Sequence, residues 1–252
     1  MLPQSVEFFG VKISLTNRDE LKECLIQTIY EKERFRIIML DEKIMFFSLF
    51  NNEIAQIIKK TEIVICASQT VAWMVKMMTG KSVQVIMPVT IYLDLMRAAD
   101  EMNYTVFLFG GTKNVALETL KRIRKSFVQA RIVGSYRSNI RNQELQDVLV
   151  TIRKSSPQIF IAGYGSGPKQ EKWITKNFGY YQGAVTVGVG NSFKVIAGKK
   201  KMPPLWFQKK GWNGFYTTLL HPYNLVRIFR IAVLVVVTLY NKLKIKFKRE
   251  KK

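Results

Sequence analysis

Residues 160–173 carry the sequence Phe-Ile-Ala-Gly-Tyr-Gly-Ser-Gly-Pro-Lys-Gln-Glu-Lys-Trp, and this stretch decides the fold. Apolar residues 159–162 predict a buried strand, a glycine-rich turn follows, and Pro168 begins a predicted helix over 169–178. Such a turn suits anion binding, because backbone N–H groups and the positive end of the helix dipole both face it. An ordinary tight loop is the alternative, since glycine spacing alone is a weak indication. The candidate binding residues here are Gly163, Gly165, Gly167, Lys169 and Gln170.

The rest of the chain repeats this unit of strand, turn and helix. Residues 6–15 alternate loosely and predict a strand or a hairpin around Gly10. Strands that alternate with helices at this spacing predict an α/β fold, with a mainly parallel, Rossmann-like sheet covered by helices on both faces. The further predicted strands are 36–40, 62–66, 104–109, 130–134 and 183–190, and the further predicted helices are 21–29, 44–59, 71–78, 91–102, 113–127 and 144–155.

The carboxyl ends of these strands carry further candidate site residues. In a parallel α/β sheet, ligands bind beyond the carboxyl ends of the strands, where the following turns converge. The residues that we expect to meet there, besides the loop at 163–167, are Asp41, Ala67, Gly110, Gly111 and the turn 188–192. Gly190, Asn191 and Ser192 of that turn are candidate binding residues.

Composition argues against several kinds of site. The chain has 252 residues, 48% of them hydrophobic, which is enough for a full core. Cys24 and Cys66 both lie among apolar residues, so we predict reduced core thiols of a cytosolic protein, neither disulfide-bonded nor metal-binding. His221 is the only histidine, which argues against a zinc site and against a Ser–His–Asp triad.

The positive charge is concentrated near the carboxyl terminus. The net charge is +22, and the sequence from Phe193 onward contains fifteen Lys or Arg residues and one acidic residue, Glu250. We predict a core over 1–197 and a basic, aromatic appendage over 198–252 that lies on an anionic membrane surface. The apolar run 231–240 is too short to span a bilayer, which needs roughly 20 residues. A helix docked on the core with a solvated tail is the alternative, and nucleic acid is disfavoured because no nucleic-acid-binding motif is present.

Two strings give the chain a resemblance to a known family. Gly165-Ser-Gly-Pro-Lys-Gln-Glu-Lys-Trp173 is followed by Gly188-Val-Gly-Asn-Ser-Phe-Lys-Val-Ile-Ala-Gly198 and a basic segment with Pro203-Pro204. Together they resemble the WecG/TagA/CpsF glycosyltransferases. The resemblance implies transfer of N-acetylmannosamine or a related sugar from a UDP donor to a polyprenyl-diphosphate-linked sugar, with inversion and without a metal or another cofactor. It also implies work at the inner face of a bacterial membrane, in cell-surface polysaccharide synthesis.

The resemblance also suggests roles for individual residues. Gln170, the loop 163–167 and the turn 190–192 would contact the nucleotide sugar. Arg227 would bind a diphosphate and Arg230 would assist it. The appendage would cover the active site and touch the membrane.

Several residues depart from the family pattern on the reacting side. Ala67 stands where the family has an aspartate base, and Lys194 stands where it has another aspartate. Two expected arginines of the appendage are Thr217 and Asn224. One hypothesis is an active, divergent enzyme with Asp41 as base, although Asp41 is also well placed as a helix cap. A second hypothesis is an inactive member that binds lipid-linked sugar or pairs with a paralogous glycosyltransferase, and a third is a membrane-surface scaffold with no sugar role. A homo-oligomer is the other partner that we consider.

Overall fold

The computed structural model describes residues 2–165, 167–180, 183–202, 204 and 225–250. The predictions made for Ser166, for Pro203, and for the aromatic segment with His221, Thr217 and Asn224 lie outside the described residues. Within the described part the helices and strands follow the predicted alternation.

A parallel sheet of six strands forms the centre of the protein, in the order β4-β3-β8-β7-β5-β6. The strands, with an amino-terminal hairpin of β1 and β2, are β1 Ser5–Phe8, β2 Val11–Ser14, β3 Phe35–Leu40, β4 Ile63–Cys66, β5 Thr105–Gly110, β6 Arg131–Tyr136, β7 Ile159–Gly163 and β8 Val185–Gly188. The helices are α1 Arg18–Tyr30, α2 Glu42–Phe50, α3 Asn52–Lys59, α4 Gln69–Thr79, α5 Pro88–Met102, α6 Lys113–Ser126, α7 Asn142–Ser155, α8 Pro168–Asn177, α9 Ser192–Ile196 and α10 Leu225–Glu250.

Both faces of the sheet are buried by helices. Along β3, Ile37 and Met39 pack into the core formed with α1 and α5, whereas Ile38 and Leu40 pack into the core formed with α2, α3 and α4. Phe160 of β7 packs with α7 and α8 on the second face. Because successive strand residues point to opposite faces, this division confirms the predicted α/β architecture.

Residues 6–15 form the hairpin that was one of the two alternatives. The turn between β1 and β2 contains Phe9 (φ 48°) and Gly10 (φ 72°). Two positive φ angles in a two-residue turn match the right-handed twist of the strands that it joins.

The predicted helix over 44–59 is wrong as one element. The structure has two helices there, because Asn51 adopts an extended backbone (φ −136°, ψ 108°) and its side chain accepts a hydrogen bond from the Ile54 backbone N–H. Asparagine favours such a cap over a position inside a helix.

The helix α10 packs back onto the second face of the molecule. It contacts α2 and α4, and Leu234 and Thr238 on its inner side are fully buried. Its outer side carries exposed apolar residues, including Phe229, Val236 and Tyr240. Among the helices that the structure describes, none is long and apolar enough to cross a membrane. The division into 1–197 and 198–252 stays a prediction.

Candidate functional site

The carboxyl ends of the parallel strands bring the predicted residues to one edge of the sheet. Leu40 pairs with Cys66, Ala162 with Gly188, and Gly110 with Gly163. The segments that follow these residues therefore share this edge. Binding of substrate by these segments stays a prediction.

Asp41 caps the helix α2. Its Oδ1 accepts hydrogen bonds from the backbone N–H groups of Lys43 at 3.0 Å and Ile44 at 2.8 Å. Burial, with the negative charge of Glu42 adding to it, raises the pKa of Asp41 to about 6, although both backbone hydrogen bonds oppose that shift. The capping interpretation is confirmed, and the role as a base stays a prediction.

Gln170 joins the start of α8 to the turn after β8. Its Oε1 accepts a hydrogen bond from the Gly190 backbone N–H at 3.0 Å, and its Nε2 donates to Glu171 Oε1 at 2.8 Å. The side chain is buried, with 3% of the residue exposed. The structure thus gives Gln170 an internal role that the sequence analysis did not foresee, and its contact with a ligand stays a prediction.

Glu171 is a buried acid that the sequence analysis missed. It is 2% exposed, and burial raises its pKa to about 7, with the charge of Asp41 adding to the shift and the Gln170 hydrogen bond opposing it. A Cβ atom on Gly188 would overlap Gln170 Nε2 and would lie 2.7 Å from Glu171 Oε1, so glycine lets the strand pass both side chains. One signal was available, because Glu171 shares its helix face with the buried Ile174.

Two of the predicted glycines have a packing role. A Cβ atom on Gly110 would lie 2.7 Å from the ring of Phe193, and one on Gly163 would also overlap that ring. Gly111 adopts φ 69° and donates its N–H to the Gly163 carbonyl at 3.1 Å. The Phe193 ring accounts for glycine at positions 110 and 163, and the positive φ accounts for glycine at position 111. Contact of these residues with substrate stays a prediction.

The loop between β7 and α8 is open at one position and covered at another. Gly165 (φ 85°) has no neighbouring atom within 4 Å of its Cβ position, whereas at Gly167 (φ 95°) that position lies 2.8 Å from the side chain of Lys43. Lys169 is exposed at the start of α8. The open part of the loop is therefore the part that a ligand could approach.

The turn after β8 is held by internal hydrogen bonds. Gly190 adopts φ 54°, and the buried Ser192 donates its hydroxyl to the Val189 carbonyl at 2.7 Å. Asn191 is half-buried, and its side chain makes no capping hydrogen bond to α9. The Ser192 hydroxyl is thus engaged within the turn, whereas the Asn191 side chain is not used to cap the helix that follows.

Arg227 connects α10 to this edge of the sheet. Its Nε donates a hydrogen bond to Glu42 Oε1 at 2.7 Å, and its terminal nitrogen Nη2 lies 2.6 Å from the same oxygen. Both side chains are nearly buried, at 14% and 13% exposure. Arg230 donates from Nε to the Val226 carbonyl at 3.1 Å and lies closer to solvent.

The end of β4 carries no acid. Ala67 is half-buried and donates its backbone N–H to the Leu40 carbonyl at 3.0 Å, and Ser68, Gln69 and Thr70 follow. Within the described ranges, no group of three or more His, Cys, Asp or Glu side chains is arranged to hold a metal ion.

Comparison with known proteins identifies the family of this chain. The model of the glycosyl transferase WecG/TagA/CpsF family matches residues 6–251. The chain belongs to this family. The resemblance inferred from the two sequence strings is thereby confirmed, and the protein is a member of a glycosyltransferase family.

Two curated relatives carry the same name, N-acetylglucosaminyldiphosphoundecaprenol N-acetyl-beta-D-mannosaminyltransferase. The protein from Bacillus spizizenii is 30% identical over 159 residues, which cover 63% of this chain and 61% of the relative. The protein from Bacillus subtilis is 26% identical over 141 residues, which cover 56% of this chain and 54% of the relative. The matched part of this WecG/TagA/CpsF-family chain thus spans less than two thirds of either relative.

Proposed function

We propose that this protein transfers a hexosyl group from a UDP-sugar to a polyprenyl-diphosphate-linked sugar, at the cytoplasmic face of a bacterial membrane. The observation that carries the proposal is the position of Asp41. This carboxyl group, with its pKa raised to about 6, lies at the same edge of the sheet as the Gln170–Gly190 junction and Arg227. The relatives' name, which describes transfer of a sugar to a lipid-linked sugar diphosphate, supports the same reaction class.

In the proposed reaction, a hydroxyl of the acceptor sugar attacks the anomeric carbon of the donor. The new bond joins that oxygen to the anomeric carbon, the bond from this carbon to the UDP oxygen breaks, and UDP leaves with the bonding electrons. Asp41 accepts the hydroxyl proton. A base with a pKa of about 6 is ionised at neutral pH and can still take up a proton in the transition state. Attack opposite to the leaving group inverts the anomeric centre, and no step uses a metal.

The substitution Asp41→Asn tests this assignment, because asparagine keeps the helix cap but cannot accept the proton. Transfer of labelled sugar from a panel of UDP-sugars to a polyprenyl-diphosphate-linked acceptor is measured for both proteins. We expect turnover in the wild type and a loss of roughly 100-fold or more in the variant, in line with the contribution of a general base. Equal turnover in both proteins would eliminate Asp41 as the base.

An inactive family member is the second candidate, and Ala67 favours it, because the family resemblance places an aspartate at that position. Such a protein would bind lipid-linked sugar or partner an active paralogue, or pair with a second copy of itself. It would show measurable binding of UDP or of a prenyl diphosphate, with no turnover of any donor in the same assay.

The outer side of α10 supports the membrane part of the proposal. Its exposed apolar residues include Phe229, Val236, Tyr240 and Phe247, and five lysines and arginines follow between residues 242 and 249. Apolar side chains beside a basic stretch favour the surface of an anionic bilayer. Deleting residues 242–252 should weaken sedimentation with anionic vesicles and reduce its dependence on salt. Unchanged sedimentation would count against the membrane contact.

A further inference from the structure

The side-chain amide of Gln170 is held at both of its ends. Its oxygen accepts a hydrogen bond from the Gly190 backbone N–H at 3.0 Å, and its nitrogen donates to Glu171 Oε1 at 2.8 Å. A backbone N–H can only donate, so an amide turned the other way would set its own N–H groups against Gly190. Gly190 and Glu171 together therefore determine which way the amide points.

Burial makes the acceptor on Glu171 necessary to this arrangement. Both Gln170 and Glu171 are almost wholly inside the protein, where an amide N–H without an acceptor costs free energy because water does not replace the partner. A Cβ atom on Gly188 would overlap Gln170 Nε2, so strand β8 passes directly beside the amide and restricts its rotation. Without an acceptor at position 171, the amide nitrogen would have to move, and the amide oxygen would move with it.

The amide oxygen of Gln170 in turn holds the first residue of the turn after β8 that has left the sheet. The Val189 N–H still donates to the Ala162 carbonyl of β7 at 2.7 Å. The next donor along the chain, the Gly190 N–H, donates to Gln170 instead. Because α9 begins two residues later, at Ser192, the path of the turn 190–192 depends on where the Gln170 oxygen lies.

We propose that Glu171 is a positioning residue, which orients the Gln170 amide and thereby holds the turn 190–192 in the shape that binds the donor. The proposal rests on the proposed function, in which the donor is a UDP-sugar. Glu171 needs no contact with that substrate, because it acts through Gln170. Its charge is not required either, since what Gln170 needs is an acceptor at the position of Oε1. A glutamine at position 171 should therefore replace the acid.

Amide hydrogen exchange of the full chain, followed by NMR, tests the orientation without any substrate. Glu171→Leu removes the acceptor, Glu171→Gln keeps it, and Ile174→Val is the control, because it loosens the packing of the same buried helix face but removes no hydrogen-bonding group. In Glu171→Leu, the Gly190 N–H should exchange roughly tenfold faster relative to the Val189 N–H, which β7 still holds. The ratio of the two exchange rates should stay as in the wild type in the other two variants.

Calorimetric titration of the same proteins with UDP tests the consequence for the donor. We expect Glu171→Leu to bind UDP roughly tenfold more weakly than the wild type, and Glu171→Gln and Ile174→Val to bind it within about twofold of the wild type.

The proposal is overturned if Glu171→Leu leaves the exchange ratio or UDP binding unchanged, or if the wild type binds no UDP. It is also overturned if Glu171→Gln or Ile174→Val has the same effects as Glu171→Leu, because the acceptor would then not be what matters. The expected exchange and binding results in a wild type that transfers no sugar would contradict the proposed reaction and support the positioning role of Glu171.

Discussion

The backbone N–H of Gly190 donates to the side-chain amide oxygen of Gln170, 3.0 Å away, across twenty residues of sequence. This hydrogen bond fixes the turn after β8 against the first turn of α8. It also satisfies a backbone donor close to a buried carboxyl group, Glu171. The candidate site therefore depends on a side chain that is itself almost wholly inside the protein.

Replacing Gln170 with alanine should destabilise the protein by about 1–3 kcal/mol, because the Gly190 N–H and Glu171 would lose a partner in a buried place. Urea unfolding measures the change. Lys169→Ala, in the exposed neighbouring position, is the control and should change stability by less than about 0.5 kcal/mol. Equal effects of the two substitutions would contradict the internal role of Gln170.

Glu171 should make stability depend on pH. Its pKa is raised to about 7 from an ordinary 4.5, so the folded state holds a proton that the unfolded state releases between these values. Folding is thus favoured below pH 4.5, and this contribution is lost as the pH rises through about 7. Glu171→Gln keeps an acceptor for Gln170 and removes the titration. Relative to the wild type, the variant should gain on the order of 3 kcal/mol between pH 4.5 and 8. Parallel stability curves of the two proteins would argue against the shift.

The cap formed by Asp41 should be separable from its charge. Asp41→Ala removes the acceptor for two backbone N–H groups and should cost about 1 kcal/mol in the free energy of unfolding, whereas Asp41→Asn should cost much less. Thermal unfolding of the two variants side by side provides the measurement. A loss as large in the asparagine variant as in the alanine variant would mean that the carboxylate charge, and not the cap, stabilises this end of α2.

Phe193 should explain why position 163 is glycine. A Cβ atom there would overlap the Phe193 ring, so Gly163→Ala should destabilise by about 1–3 kcal/mol through overpacking. Adding Phe193→Leu should recover part of that loss, so that the two changes are not additive in urea unfolding. Strictly additive effects would show that residues 163 and 193 do not interact. Gly165→Ala has open space but φ 85°, so it should cost about 1 kcal/mol, with no rescue from residue 193.

Leu234 should anchor α10 to the rest of the protein. It lies on the inner side of α10 and is fully buried against the helices α2 and α4. Leu234→Ala should therefore lower the free energy of unfolding by about 2–5 kcal/mol. Leu239→Ala, on the outer side at 42% exposure, is the matched control and should stay within about 0.5 kcal/mol. Similar unfolding midpoints for the two variants would show that α10 contributes little to the folded core.

The parallel sheet was predictable because each buried strand is a short apolar run that ends at a turn signal. The break at Asn51 was not, because apolar periodicity continues through it and only the extended backbone reveals the second helix. That the candidate residues converge at the carboxyl ends of the strands was also predictable, because parallel strands end at one edge of the sheet. The reason why positions 110 and 163 are glycine was not predictable. The Phe193 ring, which leaves no room for a Cβ atom there, comes from a segment that is distant in sequence.

The same limit applies to the buried acid Glu171. Nothing local to Glu171 in the sequence shows that Gly188 passes beside it. Sequence periodicity reports which face of an element is apolar. It does not report which polar groups meet when distant elements pack together.

The pairing of α10 with α2 and α4 also has a consequence for synthesis on the ribosome. Translation of α2 and α4 is complete once residue 79 has been added. Leu234, which covers the apolar surface between them, is added about 150 residues later. At a bacterial-type rate of about 5–20 residues per second, this apolar surface stays uncovered in the nascent chain for roughly ten to thirty seconds. The emerging protein is therefore prone to aggregate through this surface until α10 is made, and slower translation lengthens that interval.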